Sequence, residues 1–476
     1  MNKSPAHTHW AQFIPLVTVF FFWGFVAASN DILIPVFKHA FQLTQTQSQF
    51  VSLSFYVAYT VGSLLYLFTS KLINEDVTKR IGYKNSLVTG LGISAFGTLL
   101  FYPAANLASF PLMLSGLFIV GLGFSLLQTT ANPLAISLGT AETASQRLTL
   151  AGGVNNFGTT IGPVIVAYAI FGTPSASSEM SIESVKIPYL VLGAAFLIAA
   201  VFLKLSSIPN HPNGEVINLD QESTQTSALQ FPQLVMGMIA IFVYVGVEVS
   251  TASNLPGYME ITQGYKTKDI APFISLYWAS LMIGRWTGGV EAFNLAAGSA
   301  KIAKFLMPYA AFSVFLIVNA IAQHDLSHFY VYGLVVLILI VADIASQGNP
   351  AKMLLIFSLL GIGGLVLGMS SSGMLSIYAF TSIGLFCSTL WPCIFTLAIS
   401  GLGKHTGQGS NYLIMMIMGG GIVSWIQGMV SEKIGIQMSY LVGVVCFAYL
   451  AIYAWMVPNI LAKQGIHLGK KAAAVH

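Results

Sequence analysis

The chain has 476 residues, and only 8% of them are charged (20 Lys or Arg, 16 Asp or Glu) against 55% hydrophobic. A soluble domain carries about 25% charge, so this chain cannot clothe a core in polar surface; a conventional soluble enzyme, a disordered chain and a secreted disulfide scaffold are excluded. The net charge of +4 is spread thinly, without a Lys/Arg block able to follow a phosphate backbone, which excludes nucleic acid as a partner and leaves the lipid bilayer as the main solvent.

A hydrocarbon core about 30 Å thick takes about 20 apolar residues to cross as a helix. Runs of that kind fall at 13–36, 49–70, 86–104, 108–137, 147–172, 188–206, 231–260, 270–293, 303–322, 329–346, 351–370, 374–400, 409–431 and 436–457, which predicts fourteen spans and an all-α polytopic membrane protein. Pro133, Pro163 and Pro392 sit inside runs, where neighbouring helices can re-satisfy the freed backbone. Lys3 precedes the first run, but that run contains Asn30 and Asp31 and ends in no small-residue cleavage site, so a cleaved leader is not expected. Cys387, Cys393 and Cys446 lie in apolar stretches and read as small core residues. The longest polar interruption, 207–230, reads as a cytoplasmic linker between an N-terminal bundle over 1–206 and a C-terminal bundle over 231–476.

If every run crosses, fourteen Lys and Arg lie on the side of the N-terminus and five on the other. The positive-inside bias then places both termini in the cytoplasm. Asn132-Pro133 followed by Leu134-Ala135-Ile136-Ser137 is echoed by Trp391-Pro392 with Leu397-Ala398-Ile399-Ser400, and each is followed by a Gly-rich run. Repeats with a site between them are the architecture of secondary transporters.

Several strings resemble the fucose:proton symporter and glucose/galactose transporter family of the major facilitator superfamily. They are Phe22-Trp23-Gly24-Phe25 leading to Asn30-Asp31-Ile32-Leu33-Ile34-Pro35, Arg80-Ile81-Gly82-Tyr83-Lys84, Gln128 to Gly139, and Asn155-Asn156-Phe157-Gly158. In the second half they are Tyr244-Val245-Gly246-Val247-Glu248, Gly284-Arg285, Gly403-Lys404-His405-Thr406 and Gly419-Gly420-Gly421-Ile422-Val423. The resemblance covers most of the chain in consistent order. It implies two six-helix bundles, with about two extra helices inserted near 303–346, and a secondary active transporter of a hexose such as glucose, galactose or fucose. No cofactor is expected, the protein is expected to be a monomer, and the location implied is the cell (inner) membrane. The rival from another class is a membrane sensor that binds sugar without moving it.

Asp31 is the sharpest single feature. A charge at the bilayer centre costs about 2.5–3.5 kcal/mol on insertion scales, so such groups usually face a cavity or a pathway; the resemblance adds a role in cation coupling. The fucose symporter has a Glu in its fourth helix where Gln128 stands here. Asp31, Asn30, Gln128, Thr129, Asn155 and Asn156 are oxygen-rich, and only Asp31 among them titrates. Hard cations take such oxygen ligands, and some relatives with Gln in the fourth helix are sodium-dependent. The expectation is therefore Na⁺ at Asp31, with the proton as its rival.

Glu248 is the second acid within a span and offers a carboxylate to paired sugar hydroxyls; glucose/galactose-type relatives have a Glu there. Sugar sites combine hydrogen-bonding side chains with apolar faces. The further candidates are Gln128, Asn132, Asn155, Asn156, Asn254, Asn411 and Gln427, with Trp23, Tyr244, Trp278, Trp391 and Trp425 as stacking platforms. Arg285, Arg80 and Lys84 resemble degenerate gating loops of the superfamily. His324 and His328 are four residues apart but lack the Glu of the metalloprotease pattern, and Gly401-x-Gly403 follows no strand, so neither signals a metal or a dinucleotide.

Overall fold

The computed structural model describes residues 9–73, 77–138, 144–172, 182–210, 227–290 and 297–466. The expected linker therefore falls largely outside the described residues, as do Lys3, Lys470 and Lys471. The regular structure among the described residues is helical, as a chain immersed in lipid requires, because a helix satisfies its own backbone groups.

The first half comprises α1 (Trp10–Ala40), α2 (Phe50–Leu72), α3 (Tyr83–Leu99), α4 (Phe110–Ser137), α5 (Ala144–Phe171) and α6 (Lys186–Leu205). The second half comprises α7 (Pro232–Ile261), α8 (Ala271–Gly289), α9 (Ala297–Ile321), α10 (Tyr332–Ser346), α11 (Pro350–Ser370), α12 (Gly373–Cys387), α13 (Leu390–Ile399), α14 (Thr406–Met415), α15 (Gly419–Ile434) and α16 (Leu441–Lys463). Pro111, Pro232, Pro272 and Pro350 stand in the first turns of α4, α7, α8 and α11, where a missing N–H costs nothing. Within the spans, hydroxyls return to the preceding turn: Ser94 to Gly90 at 3.0 Å and Thr130 to Leu126 at 2.8 Å. Large apolar side chains such as Phe68, Leu72, Phe96, Ile187 and Leu205 cover the outside.

Twelve helices, or pairs of joined helices, among the described residues are long and apolar enough to cross a membrane. Fourteen were expected, and the two that fall short do so for different reasons. The run at 270–293 forms α8, which is among the most buried helices of the bundle; from Ile270 to Gly284 every residue is buried. A helix covered by protein has no need of a lipid-compatible surface, and α8 carries Ser275, Tyr277, Ser280 and Arg285. The run at 329–346 forms α10, only 15 residues long.

Packing follows the same pattern in each half. The helix α1 packs along α5, α2 along α4, and α3 along both α4 and α6; likewise α7 packs along α15, α8 along α12, and α11 along both α12 and α16. The helices α9 and α10 stand outside that pattern, α9 against α8 and α10 against α11 and α12. The α1–α5 contact depends on glycine: a Cβ on Gly24 would lie 2.1 Å from the Asn155 carbonyl oxygen. Two spans of the second half are interrupted. Residues 388–389 separate α12 from α13, and a 3₁₀ turn at Met416–Met418 separates α14 from α15. Their counterparts α4 and α5 run unbroken for 28 residues each.

The bundle has two ends. Trp10, Leu205 and Lys463 lie at one, called here the linker end; Phe41, Gly264 and Gly435 lie at the other, the far end. At the linker end Lys84 Nζ donates to the Ser206 carbonyl at 2.8 Å and Tyr83 N to the Asn210 carbonyl at 2.8 Å, docking the start of the linker on α3.

Candidate substrate and ion site

Asp31 is 2% exposed, two turns before the far end of α1. Its Oδ1 accepts from the Ser253 hydroxyl of α7 at 3.1 Å, and its Oδ2 accepts from the Trp278 indole N–H of α8 at 2.8 Å. Both donors belong to the other half of the molecule. The Ser253 hydroxyl lies 2.9 Å from that of Ser52 on α2. Beside Asp31, the Asn30 amide is buried with neither its nitrogen nor its oxygen partnered. Leaving a buried polar group unmet costs about 1–3 kcal/mol.

Glu248 lies near the middle of α7 and is partly exposed. Tyr244, one turn earlier, donates its hydroxyl to Glu248 Oε2, and the Tyr277 hydroxyl of α8 donates to the Glu248 backbone carbonyl at 2.7 Å. The Arg285 guanidinium is within electrostatic reach of Glu248 and donates to Asn156 Oδ1 of α5 at 3.2 Å. Tyr56 and Tyr277 both feel the charges of Asp31 and Glu248, so the two acids border one central region. Gln128 and Trp23 adjoin the Tyr59 hydroxyl on the first-half wall of that region. The amide nitrogens of Gln128 and Asn156 are buried and unpartnered. On the second-half wall Trp391 lies 6.2 Å from Tyr244, centroid to centroid.

The structure spends other candidates on packing. Asn155 Nδ2 donates to the Phe20 carbonyl at 3.0 Å and holds α5 to α1. Asn254 is fully buried, donates to the Ser250 carbonyl at 2.9 Å, and accepts from Gln45 Nε2 at 3.2 Å. Gln427 Nε2 donates to Ser439 within the second half at 3.3 Å. Asn132 and Asn411 are partly exposed, towards the linker ends of α4 and α14. Arg80 is exposed at the linker end, and Lys84 binds within its own half. Of the oxygen set expected around a sodium ion, Asn155 uses its Nδ2 on α1, and Asp31 Oδ2 is met by an indole N–H, which can only donate.

The far end is sealed by contacts between the halves. Gln49 Nε2 donates to the Ser253 carbonyl at 3.3 Å, Thr46 N donates to Glu432 Oε1 at 2.8 Å, and His39 Nε2 lies 3.4 Å from Glu260 Oε2. Gly421 permits the closest approach; its Cβ would meet the Leu53 Cα at 2.8 Å. Towards the linker end Asn132, Trp391, Asn411 and Tyr412 keep partial exposure. Chemically, the region offers a carboxyl buried between the two halves, a second carboxyl backed by an arginine, unmet amides and aromatic faces.

Residue types alone did not reveal Ser52 and Ser253, because serines in membrane helices commonly bond their own preceding turn. A partial signal did exist on α2 and the turn before it: Gln45, Gln49, Ser52, Tyr56 and Tyr59 recur at intervals of four and three, as on one helical face, although Thr46, Gln47, Ser54 and Thr60 lie among or next to them.

The sequence pattern of the Major Facilitator Superfamily matches residues 16–351. A glucose/galactose transporter of Brucella abortus biovar 1 (strain 9-941) is 34% identical over 462 residues, covering 95% of this chain and 97% of the relative. An L-fucose-proton symporter of Escherichia coli (strain K12) is 28% identical over 474 residues, covering 95% and 94%. Among solved structures, the transporter FucP in the outward conformation superposes with a TM-score of 0.60 at 26% identity, covering 94% of this chain and 98% of that one. The chain belongs to the major facilitator superfamily, and its fold and relatives are those of transporters, not enzymes.

Proposed function

We propose that this protein is a proton-coupled symporter of a hexose, with glucose and galactose as the first substrates to test, working by alternating access around the region between Asp31 and Glu248. The observation that carries the reading is Asp31: a carboxyl buried in one half whose two oxygens accept from the other half. Such a group can hold or release a proton while the halves re-seat. In this reading Glu248, Gln128, Asn156 and Asn30 meet sugar hydroxyls, Trp391 and Trp23 offer apolar faces, and Arg285 sets the charge behind Glu248. Asn132 and Asn411 line the path toward the linker end.

The sodium expectation finds no support. The relatives whose names state a coupling ion are proton symporters, and the donors around Asp31 suit a carboxylate rather than a metal ion. The finer topology also belongs to this proposal: bundles at 1–206 and 231–476, α9 and α10 as an inserted pair on the periphery, α8 and α10 as further crossings, a monomer, and both termini in the cytoplasm. With that orientation the sealed far end faces outward, and the structure is inward-facing.

The test is uptake of labelled glucose, galactose and fucose into proteoliposomes, with pH and Na⁺ gradients varied independently. Accumulation that follows the pH gradient and ignores Na⁺ supports the reading. Accumulation that needs Na⁺ at constant pH overturns the choice of ion, and binding without uptake favours the sensor.

A further inference from the structure

The hydrogen bonds around Asp31 have a direction, and that direction joins its charge to the far-end seal. An indole N–H can only donate, so Asp31 Oδ2 is an acceptor toward Trp278. The Ser253 hydroxyl has one proton and gives it to Oδ1, so toward Ser52 it can only accept. The chain thus runs from Ser52 to Ser253 to Asp31, with Trp278 bonded to the other carboxyl oxygen. It passes from α2 to α7 to α1 to α8 and crosses between the halves three times. The backbone carbonyl of the same Ser253 accepts from Gln49, which is part of the seal.

This arrangement is made for an ionised carboxylate. Hydrogen bonds to an ionised acceptor are about twice as strong as neutral ones. When Asp31 gains a proton, the two serines can turn round, but every bond in the chain becomes neutral. Because linkage is reciprocal, whatever loosens the closed far end on protonation also ties proton binding to its opening.

Among the described residues, the groups bonded to this carboxyl are Trp278 and Ser253, and neither is a cation that would keep the bonds of this staple charged once Asp31 is protonated. Tyr56 comes from α2, Tyr277 from α8 and Glu248 from α7, with Arg285 engaged near Glu248. The helix α5 packs on α1 through Gly158 and Gly162. Lys38 and His39 lie about two turns further along α1, at the rim, beside Glu260 and Glu432.

We infer that Trp278 and Ser253 are positioning residues for the coupling carboxyl: they join the ionised form of Asp31 to closure of the far end, so that the protonated carrier is the one released to open there. The inference rests on the proton reading above and adds the residues that transmit it. After a proton leaves on the linker side, the staple re-forms and the far end stays shut behind it.

The test uses purified full-length protein in detergent, with Thr46→Cys as a far-end reporter and a bulky maleimide as the probe. Thr46 contributes its backbone N–H to the seal, so the substitution keeps that contact. Labelling is measured from acidic to alkaline pH and expressed at each pH relative to the same cysteine in denatured protein, which removes the thiolate's own pH dependence, and each variant is first checked for a single monodisperse species. With Trp278 and Ser253 intact, labelling should be fast at acidic pH and slow at alkaline pH. Trp278→Phe and Ser253→Ala should each raise the alkaline rate about tenfold and flatten the profile, and Ser253→Thr, which keeps a hydroxyl, should restore it. If Asp31→Asn flattens the profile while Trp278→Phe and Ser253→Ala keep it steep, the staple is wrong and the proton reading stands. If Asp31→Asn itself keeps the steep profile, the proton reading fails first.

Discussion

Asp31 and Glu248 are both carboxyls within membrane spans, and they border the same central region, yet they are wired in opposite ways. Every hydrogen bond recorded to the Asp31 side chain comes from the other half of the molecule, through Ser253 and Trp278. The bond to the Glu248 side chain comes from Tyr244, one turn away on the same helix. An acid held across an interface changes its surroundings whenever the interface moves. An acid held by its own helix keeps its geometry through the cycle. The first arrangement suits coupling, and the second suits a fixed ligand for substrate.

The largest effect should come from Asp31→Asn. Gradient-driven accumulation of sugar is expected to fall to background while sugar exchange across the vesicle membrane continues; loss of both in a well-folded variant would break the contrast. Next comes Glu248→Gln, which keeps the shape but removes the charge. Apparent sugar affinity should weaken by about tenfold or more, the scale of one hydrogen bond to a charged group, while the pH dependence of accumulation stays that of the unaltered protein. A changed pH dependence would move Glu248 into the coupling machinery. Tyr244→Phe removes only the donor to Glu248 and should weaken sugar affinity by about three- to tenfold, the range for a single hydrogen bond; binding measured by calorimetry checks it. The smallest effect should be that of Lys84→Ala. Its bond to the Ser206 carbonyl lies within one half, so initial uptake rates should change by less than about twofold, although thermal stability falls slightly.

Much of the architecture was legible in the residues because lipid imposes a simple demand: long apolar runs become helices. That rule weakens where protein replaces lipid. The helix α8 is buried within the bundle through Gly284, and burial lets Ser275, Ser280 and Arg285 stand where hydropathy expects apolar residues. Asp31 stood out in the sequence because a charge there is costly and rare, and the structure buries it between the halves. Trp278 was visible only as an aromatic face; that its indole N–H points at Asp31 depends on how α8 is rotated against α1, and no local pattern records a rotation. Asn155 and Asn254 have the chemistry of sugar ligands, but a neighbouring helix claims each amide first. Chemistry can be read from composition and spacing, whereas the partner of a hydrogen bond is a property of the packed bundle.

The interruptions at 388–389 and at Met416–Met418 fall in the second half, beside Tyr244 and Phe242, while α4 and α5 run straight through. A break in a rod is a joint, and although the span of α3 is also broken at Leu100, the spans of α12–α13 and α14–α15 should bend where α4 and α5 turn as stiff levers. Amide deuterium uptake should then be faster at the two joints than anywhere along α4 or α5, and occupancy of the site should slow it there first.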